Sequence, residues 1–68
     1  MDVRTYISKN LRKFRDNKNL TQKELADMLG VTPQAVSKWE RSESCPDIVL
    51  LPRLSEILDC SINDLFNK

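Results

Sequence analysis

With 68 residues, 40% of them apolar and 31% charged, a net charge of +1 and a single Gly, the chain is composed as one soluble globule, and its scattered β-branched residues favour helices over strands. It has no His, and its two cysteines have 14 residues between them and form no C-x-x-C pattern, which weighs against zinc binding, histidine-based catalysis and a disulfide framework. No apolar run approaches the roughly 20 residues that cross a bilayer, and MDVRTYISKN lacks the apolar segment of a signal peptide, so reduced cysteines and a cytoplasmic setting are expected.

Val3, Ile7, Leu11 and Phe14 step by four, four and three and predict a first helix over about residues 3–17. DNKN breaks it with turn-forming Asn and Asp. Thr21 and Glu24 form a T-x-x-E capping box that opens a second helix, with Leu25, Ala26, Met28 and Leu29 as its buried face. Gly30, the one glycine, suits a left-handed position just past a helix end. Thr32 is then an N-cap and Pro33 a first helical residue, where a missing N–H costs nothing.

In this third helix Val36, Trp39 and Glu40 point inward, which leaves an outer stripe of Gln34, Ser37, Lys38 and Arg41. Trp39 is thereby expected to pack in the core and not to serve as a stacking platform. RSESCPD reads as a loop, and Asp47 as the cap of a fourth helix carrying Ile48, Leu51, Leu54, Ile57 and Leu58. Pro52 falls inside that span and predicts a late start, an initial 3₁₀ turn or a bend. Ser61 and Asp64 cap a short last helix bearing Ile62, Leu65 and Phe66, which either close the monomer core or supply a dimer contact. Cys60 reads as a small core filler.

Charge is polarised: residues 1–24 hold seven Lys/Arg against three Asp/Glu, and residues 25–68 four against seven. Such a chain can present a basic face while staying near neutral, although solvation of a helix explains charge clusters as well.

Two helices joined by a short turn containing Gly form a helix-turn-helix, and the major groove of B-DNA, about 12 Å wide, admits one helix while a second crosses the backbone. Small Ala26 lets the two helices approach and Gly30 lets the chain turn sharply. TQKELADMLGVTPQAVSKWE resembles the helix-turn-helix of the lambdoid-repressor and Cro-like family, also called the xenobiotic-response-element family. Gln22, Leu25, Ala26, Leu29, Gly30, Val31, Val36, Ser37, Trp39 and Glu40 fall on the family pattern together. LRKFRDNKNLTQ, CPDI and CSINDLF extend the likeness over roughly residues 7–67.

The resemblance implies an all-α, compact five-helix, lambda-repressor-like DNA-binding domain over residues 1–68, with helices 2 and 3 as the helix-turn-helix. It implies that Gln22 grips a backbone phosphate and that Thr32, Gln34, Ser37 and Lys38 face DNA, with Arg41 an outer-stripe neighbour that shares that face. It also implies an internal ion pair between Arg15 and Glu40. Ser42 stands where the family often has Gly, Pro33 where some relatives place a base-reading side chain, and Pro52 where a helix-forming apolar residue is usual.

Gln34 has the chemistry to pair with adenine N6 and N7, and Lys38 to donate to guanine O6 or N7, while either could instead reach only phosphate. The expected function is a sequence-specific double-stranded-DNA-binding transcriptional regulator, a repressor that binds a pseudo-palindromic operator as a homodimer. The alternative is a protein-interaction module of the same fold, antirepressor or antitoxin-like. An enzyme is not expected, nor a cofactor, a metal, a membrane partner or a small-molecule ligand.

Overall fold

The computed structural model of the chain describes residues 2–67. Five helices follow in order: α1 Val3–Asn17, α2 Gln22–Leu29, α3 Pro33–Glu40, α4 Leu51–Leu58 and α5 Ile62–Phe66, with a 3₁₀ turn, Ile48–Leu50, leading into α4. No strand occurs among the described residues.

The ends of these helices follow from their capping residues. The Asp2 side chain accepts from the backbone N–H of Thr5, and Thr32 Oγ1 accepts from that of Ala35. Thr21 and Glu24 form a reciprocal capping box, as do Ser61 and Asp64. Each satisfies donors that an open helix start would leave to water. Asp47 caps the 3₁₀ turn rather than α4 itself, and α4 starts at Leu51 with Pro52 in its first turn and no side-chain cap. Proline cannot occupy a helix interior, so the ring moves the start of the helix instead.

Four helices end on a residue in the left-handed region: Asn19 at φ 56° after α1, Gly30 at 76° after α2, Ser42 at 63° after α3 and Asp59 at 55° after α4. After α1, α3 and α4 the backbone closes the same way. The N–H beyond the turn reaches back five residues, as in Glu43 to the Lys38 carbonyl, and the left-handed residue reaches back three, as in Ser42 to that of Trp39. Asn and Asp tolerate this conformation better than other non-glycine residues. Ser42 adopts a geometry that a glycine would supply without strain.

The core is built from Ile7 and Leu11 of α1, Leu25 and Ala26 of α2, Val36 and Trp39 of α3, Leu54 and Leu58 of α4, and Leu65 of α5. Phe14, Leu29, Val31, Leu51, Ile57 and Cys60 pack around it. Three residues expected inside lie outside. Val3 sits at the open end of α1, Met28 is about half exposed, and Ile48, on the 3₁₀ turn, is 76% exposed. The late start of α4 takes Ile48 off the helical stripe to which it was assigned. α1 packs on both α3 and α5, and α2 lies against α3 and α4. Asn10 secures the far end by donating to the carbonyls of Leu65 and Asn67 at 2.9 and 2.7 Å.

Left-handed backbone costs an L-residue about 1–2 kcal/mol, part of which a glycine returns through greater freedom in the unfolded chain. Ser42→Gly is expected to raise stability by about 0.5–1 kcal/mol, read as a shift in the urea midpoint. Gly30→Ala is expected to lower it by about 1–2 kcal/mol from backbone strain alone, since an added Cβ there meets nothing within 4 Å.

The Glu24 carboxyl is held below its ordinary pKa, chiefly by hydrogen bonding to the Thr21 backbone and then to its side chain. A carboxylate so depressed contributes stability that is complete above its unfolded pKa and is lost as pH falls through the lower folded value. Thermal melts from pH 6 into the acid range should show this loss, and Glu24→Gln, which keeps an acceptor for the cap, should flatten that part of the profile.

Candidate nucleic-acid interface

The orientation of α3 is set by a charged pair at its last residue. Arg15 of α1 donates to both Glu40 carboxylate oxygens, Nε to Oε2 at 2.6 Å and Nη2 to Oε1 at 3.0 Å. Their side chains are only 13% and 5% exposed, so the pair is shielded from solvent. The hydrogen bond to Glu40 is the largest reason that the Arg15 pKa is raised above its ordinary value. Arg15 Nη1 also donates to the Leu20 carbonyl at 2.7 Å, which ties in the α1–α2 turn. Gln22, the first residue of α2, donates its side-chain N–H to Glu40 Oε1 at 3.1 Å. The hydroxyl of Ser8, the buried polar residue of α1, donates to the Glu40 backbone carbonyl at 3.0 Å. Three helices thus meet at Glu40, and the α1–α2 turn joins them through Arg15.

Beside this junction α3 turns its polar stripe outward. Gln34 and Lys38, one helical turn apart, are exposed, and among the described residues neither side chain has a hydrogen-bond or ion-pair partner. Ser37 between them is half-buried. Thr32 is exposed with its hydroxyl oxygen engaged by Ala35 N–H, which leaves the O–H as a free donor. Arg41 is the C-terminal cap residue of α3 and lies just past its last turn. Its guanidinium faces Glu43 at 3.1 Å, an acid just beyond the outer stripe of Gln34, Ser37, Lys38 and Arg41. An exposed pair of this kind is worth about 0–1 kcal/mol and opens readily.

Residues 11–65 match the protein family described as Helix-turn-helix, HTH_3. The chain belongs to the helix-turn-helix family. Over 59 residues it is 43% identical to YqaE of Bacillus subtilis strain 168, described as an uncharacterized HTH-type transcriptional regulator, covering 87% of this chain and 51% of that protein. It is 38% identical over 55 residues to repressor protein C2 of Salmonella phage P22, covering 81% of this chain and 26% of that one. The chain therefore spans about half or less of the length of these curated relatives.

Among solved structures it superimposes on the clp gene regulator ClgR of Corynebacterium glutamicum with a TM-score of 0.87 and 31% identity, over 96% of this chain and 69% of that one. It also superimposes on the iron form of the enzyme HppE with a TM-score of 0.88 and 28% identity, over 97% of this chain but only 35% of that one. The likeness to the enzyme is thus to a minority of its chain.

Within this helix-turn-helix, the spatial grouping has two parts. Gln22, Arg15 and Glu40 form the junction, and Thr32, Gln34, Ser37 and Lys38 share α3 and its cap. Sequence reasoning did not find Ser8 or the Gln22–Glu40 hydrogen bond. A signal for Ser8 existed, because it lies beside Ile7 and three residues before Leu11 on a face that is otherwise apolar, and a polar group there requires a partner. No comparable signal existed for Gln22, whose partner is 18 positions away.

Removing one member of a buried pair leaves the other charge unpaired, at a cost of about 3–5 kcal/mol, comparable to the roughly 3–5 kcal/mol a domain of this size derives from its core. Glu40→Ala is expected to be largely unfolded at 25 °C by circular dichroism. The double variant Arg15→Met/Glu40→Leu, which removes both charges and keeps volume, is expected to refold to near wild-type stability.

Proposed function

We propose that this helix-turn-helix is the double-stranded-DNA-binding domain of a transcriptional regulator, a repressor that binds a pseudo-palindromic operator as a homodimer with α3 in the major groove. The observation that carries the reading is the pair Gln34 and Lys38, exposed and unpartnered one turn apart on a helix held rigidly by the Arg15–Glu40 junction. Solvation alone requires polarity at those positions, whereas a reader requires free donors on a fixed frame. The relatives' descriptions as transcriptional regulators, and of one as a repressor, support the same reading.

In this reading Gln34 pairs with an adenine edge and Lys38 with a guanine edge, while Thr32 and Ser37 donate from the same side. Gln22 at the start of α2 grips a phosphate, and Arg41 exchanges Glu43 for a phosphate on binding. Ile62 and Phe66 are 39% and 38% exposed on α5, and Ile48 and Val49 are 76% and 74% exposed on the 3₁₀ turn, which supports pairing with a second copy. Two copies would set half-sites about 34 Å apart. A cytoplasmic location accords with this function, and no helix among the described residues is long and apolar enough to cross a membrane.

Selection of duplexes from a random pool is expected to enrich a pseudo-palindrome, whose affinity falls steeply as salt rises because phosphate binding releases counterions. Gln34→Ala should lose about 1–3 kcal/mol on the selected site and relax one symmetric base position, with sequence-independent binding unchanged. Enrichment of no sequence, together with salt-insensitive capture of a protein partner, would instead make α3 a protein-binding face.

A further inference from the structure

We propose that Glu40, in addition to holding α3, is the positioning residue that aims the Gln22 side chain at the DNA backbone. The inference rests on the DNA-binding reading above and deepens it by giving the α2 contact a dependence on an α3 carboxylate.

Gln22 is the first residue of α2, a helix whose capping box occupies the N–H of Glu24, through Thr21 Oγ1, while the Thr21 carbonyl takes that of Leu25. The backbone N–H groups of Gln22 and Lys23 belong to the helix's unpaired first turn and have no partner among the described residues. The Gln22 side chain leaves from the same helix start and reaches α3. Glu40 Oε1 accepts one hydrogen from Gln22 Nε2 at 3.1 Å. A carboxylate is an acceptor only, so it selects the nitrogen and not the oxygen of the amide and fixes which way the group is turned.

Nε2 has a second hydrogen, which takes no partner among the described residues and remains available to an outside acceptor. The carboxylate can do this next to an anion because Arg15 meets both of its oxygens and offsets its charge. An unheld glutamine would have to give up its rotamer freedom on reaching a phosphate, whereas this one is already oriented. The same carboxylate ties down the end of α3, so the backbone grip of α2 and the angle of the reading helix share one fixed point.

A double-variant cycle on DNA affinity tests the proposal. Gln22→Met keeps length but cannot donate, and Glu40→Asp keeps the charge for Arg15 but withdraws the carboxylate by one methylene. Binding to a mixed-sequence duplex at low salt is measured for both, for the double variant and for wild type, at a temperature where thermal melts show all four folded. Each single variant is expected to bind about tenfold more weakly, as for loss of a hydrogen bond to a charged group. The double variant should be no weaker than the weaker single one.

Losses that multiply to about a hundredfold, or wild-type affinity in Glu40→Asp, overturn the proposal, because a merely structural Glu40 would not be coupled to Gln22. If Glu40→Asp does not fold, the wild-type chain decides. One of the two Gln22 side-chain amide protons should be shifted away from the free-glutamine position and protected from solvent exchange by its hydrogen bond to Glu40, and the duplex should shift the other. Both protons at free-glutamine positions, or an amide unmoved by the duplex while α3 signals shift, overturns it. Failure of the wild-type chain to bind any duplex at low salt removes the DNA-binding reading itself, an outcome distinct from additive losses.

Discussion

The shielded ion pair between Arg15 and Glu40 is the constraint on which the arrangement of the first three helices depends. A domain of 68 residues has little core with which to lock helix angles, and apolar packing alone tolerates several of them. A bidentate guanidinium–carboxylate contact tolerates few, because both partners must meet edge to edge. Its position matters as much as its geometry. Arg15 is near the end of α1 and Glu40 is the last residue of α3, so the contact fixes the two helices at their ends, where a small error in angle moves an outer side chain furthest. The Leu20 carbonyl and Gln22 amide bring the intervening turn and α2 to the same place. Every buried side-chain nitrogen and oxygen among the described residues is partnered, as a charged network requires if it is not to destabilise the fold.

Around this junction the chain relies on local chemistry to start and stop its helices. Helices of eight residues, such as α2, α3 and α4, are too short to persist alone in water. Side-chain caps at the starts of α2 and α3, and left-handed residues at the ends of all three, hold the lengths constant, and tertiary burial of one face does the rest. Serine at position 42 marks where local preference and global geometry disagree. The chain must reverse direction directly after α3, and it does so at φ 63° without glycine. The strain is confined to one residue next to a half-buried, hydrogen-bonded helix end, so the fold carries it without distorting α3.

Much of this was legible before any coordinate. Cap boxes, the glycine and the three- and four-residue apolar spacing specify the helices because the responsible interactions span four residues or fewer, and α1 and the α2–α3 turn appear where those signals put them. Pro52 announced a displaced helix start for the same reason. What the pattern could not supply were relations between distant positions. Apolar spacing cannot tell that Val3 and Met28 lie at the rim of a core too small to cover them. It cannot assign a partner to Ser8 or Gln22, 32 and 18 positions from the residue they bond. Arg15 and Glu40 were paired through the family resemblance and not through spacing. The outward stripe of α3 follows from helical periodicity, but the Glu43 carboxylate opposite Arg41 depends on the path of the following turn.

These two classes of residue divide the work of the surface. Residues of the junction are shielded from solvent in whole or in part and bonded to one another, so a change at any of them alters stability and helix angle together. Gln34 and Lys38 are exposed and, among the described residues, bonded to nothing else, so a change at either costs the fold little and alters only what the helix presents. A small domain can therefore vary its reading residues over a constant frame, provided that the frame does not depend on them. Gln22 belongs to both classes. It is half-buried and bonded to Glu40, yet it stands at an open helix start with donors to spare. That double membership makes it the position where a substitution on the outer surface is felt by the internal frame, and where, in the proposed DNA-binding reading, the angle of α3 and the hold on the backbone are mechanically one setting.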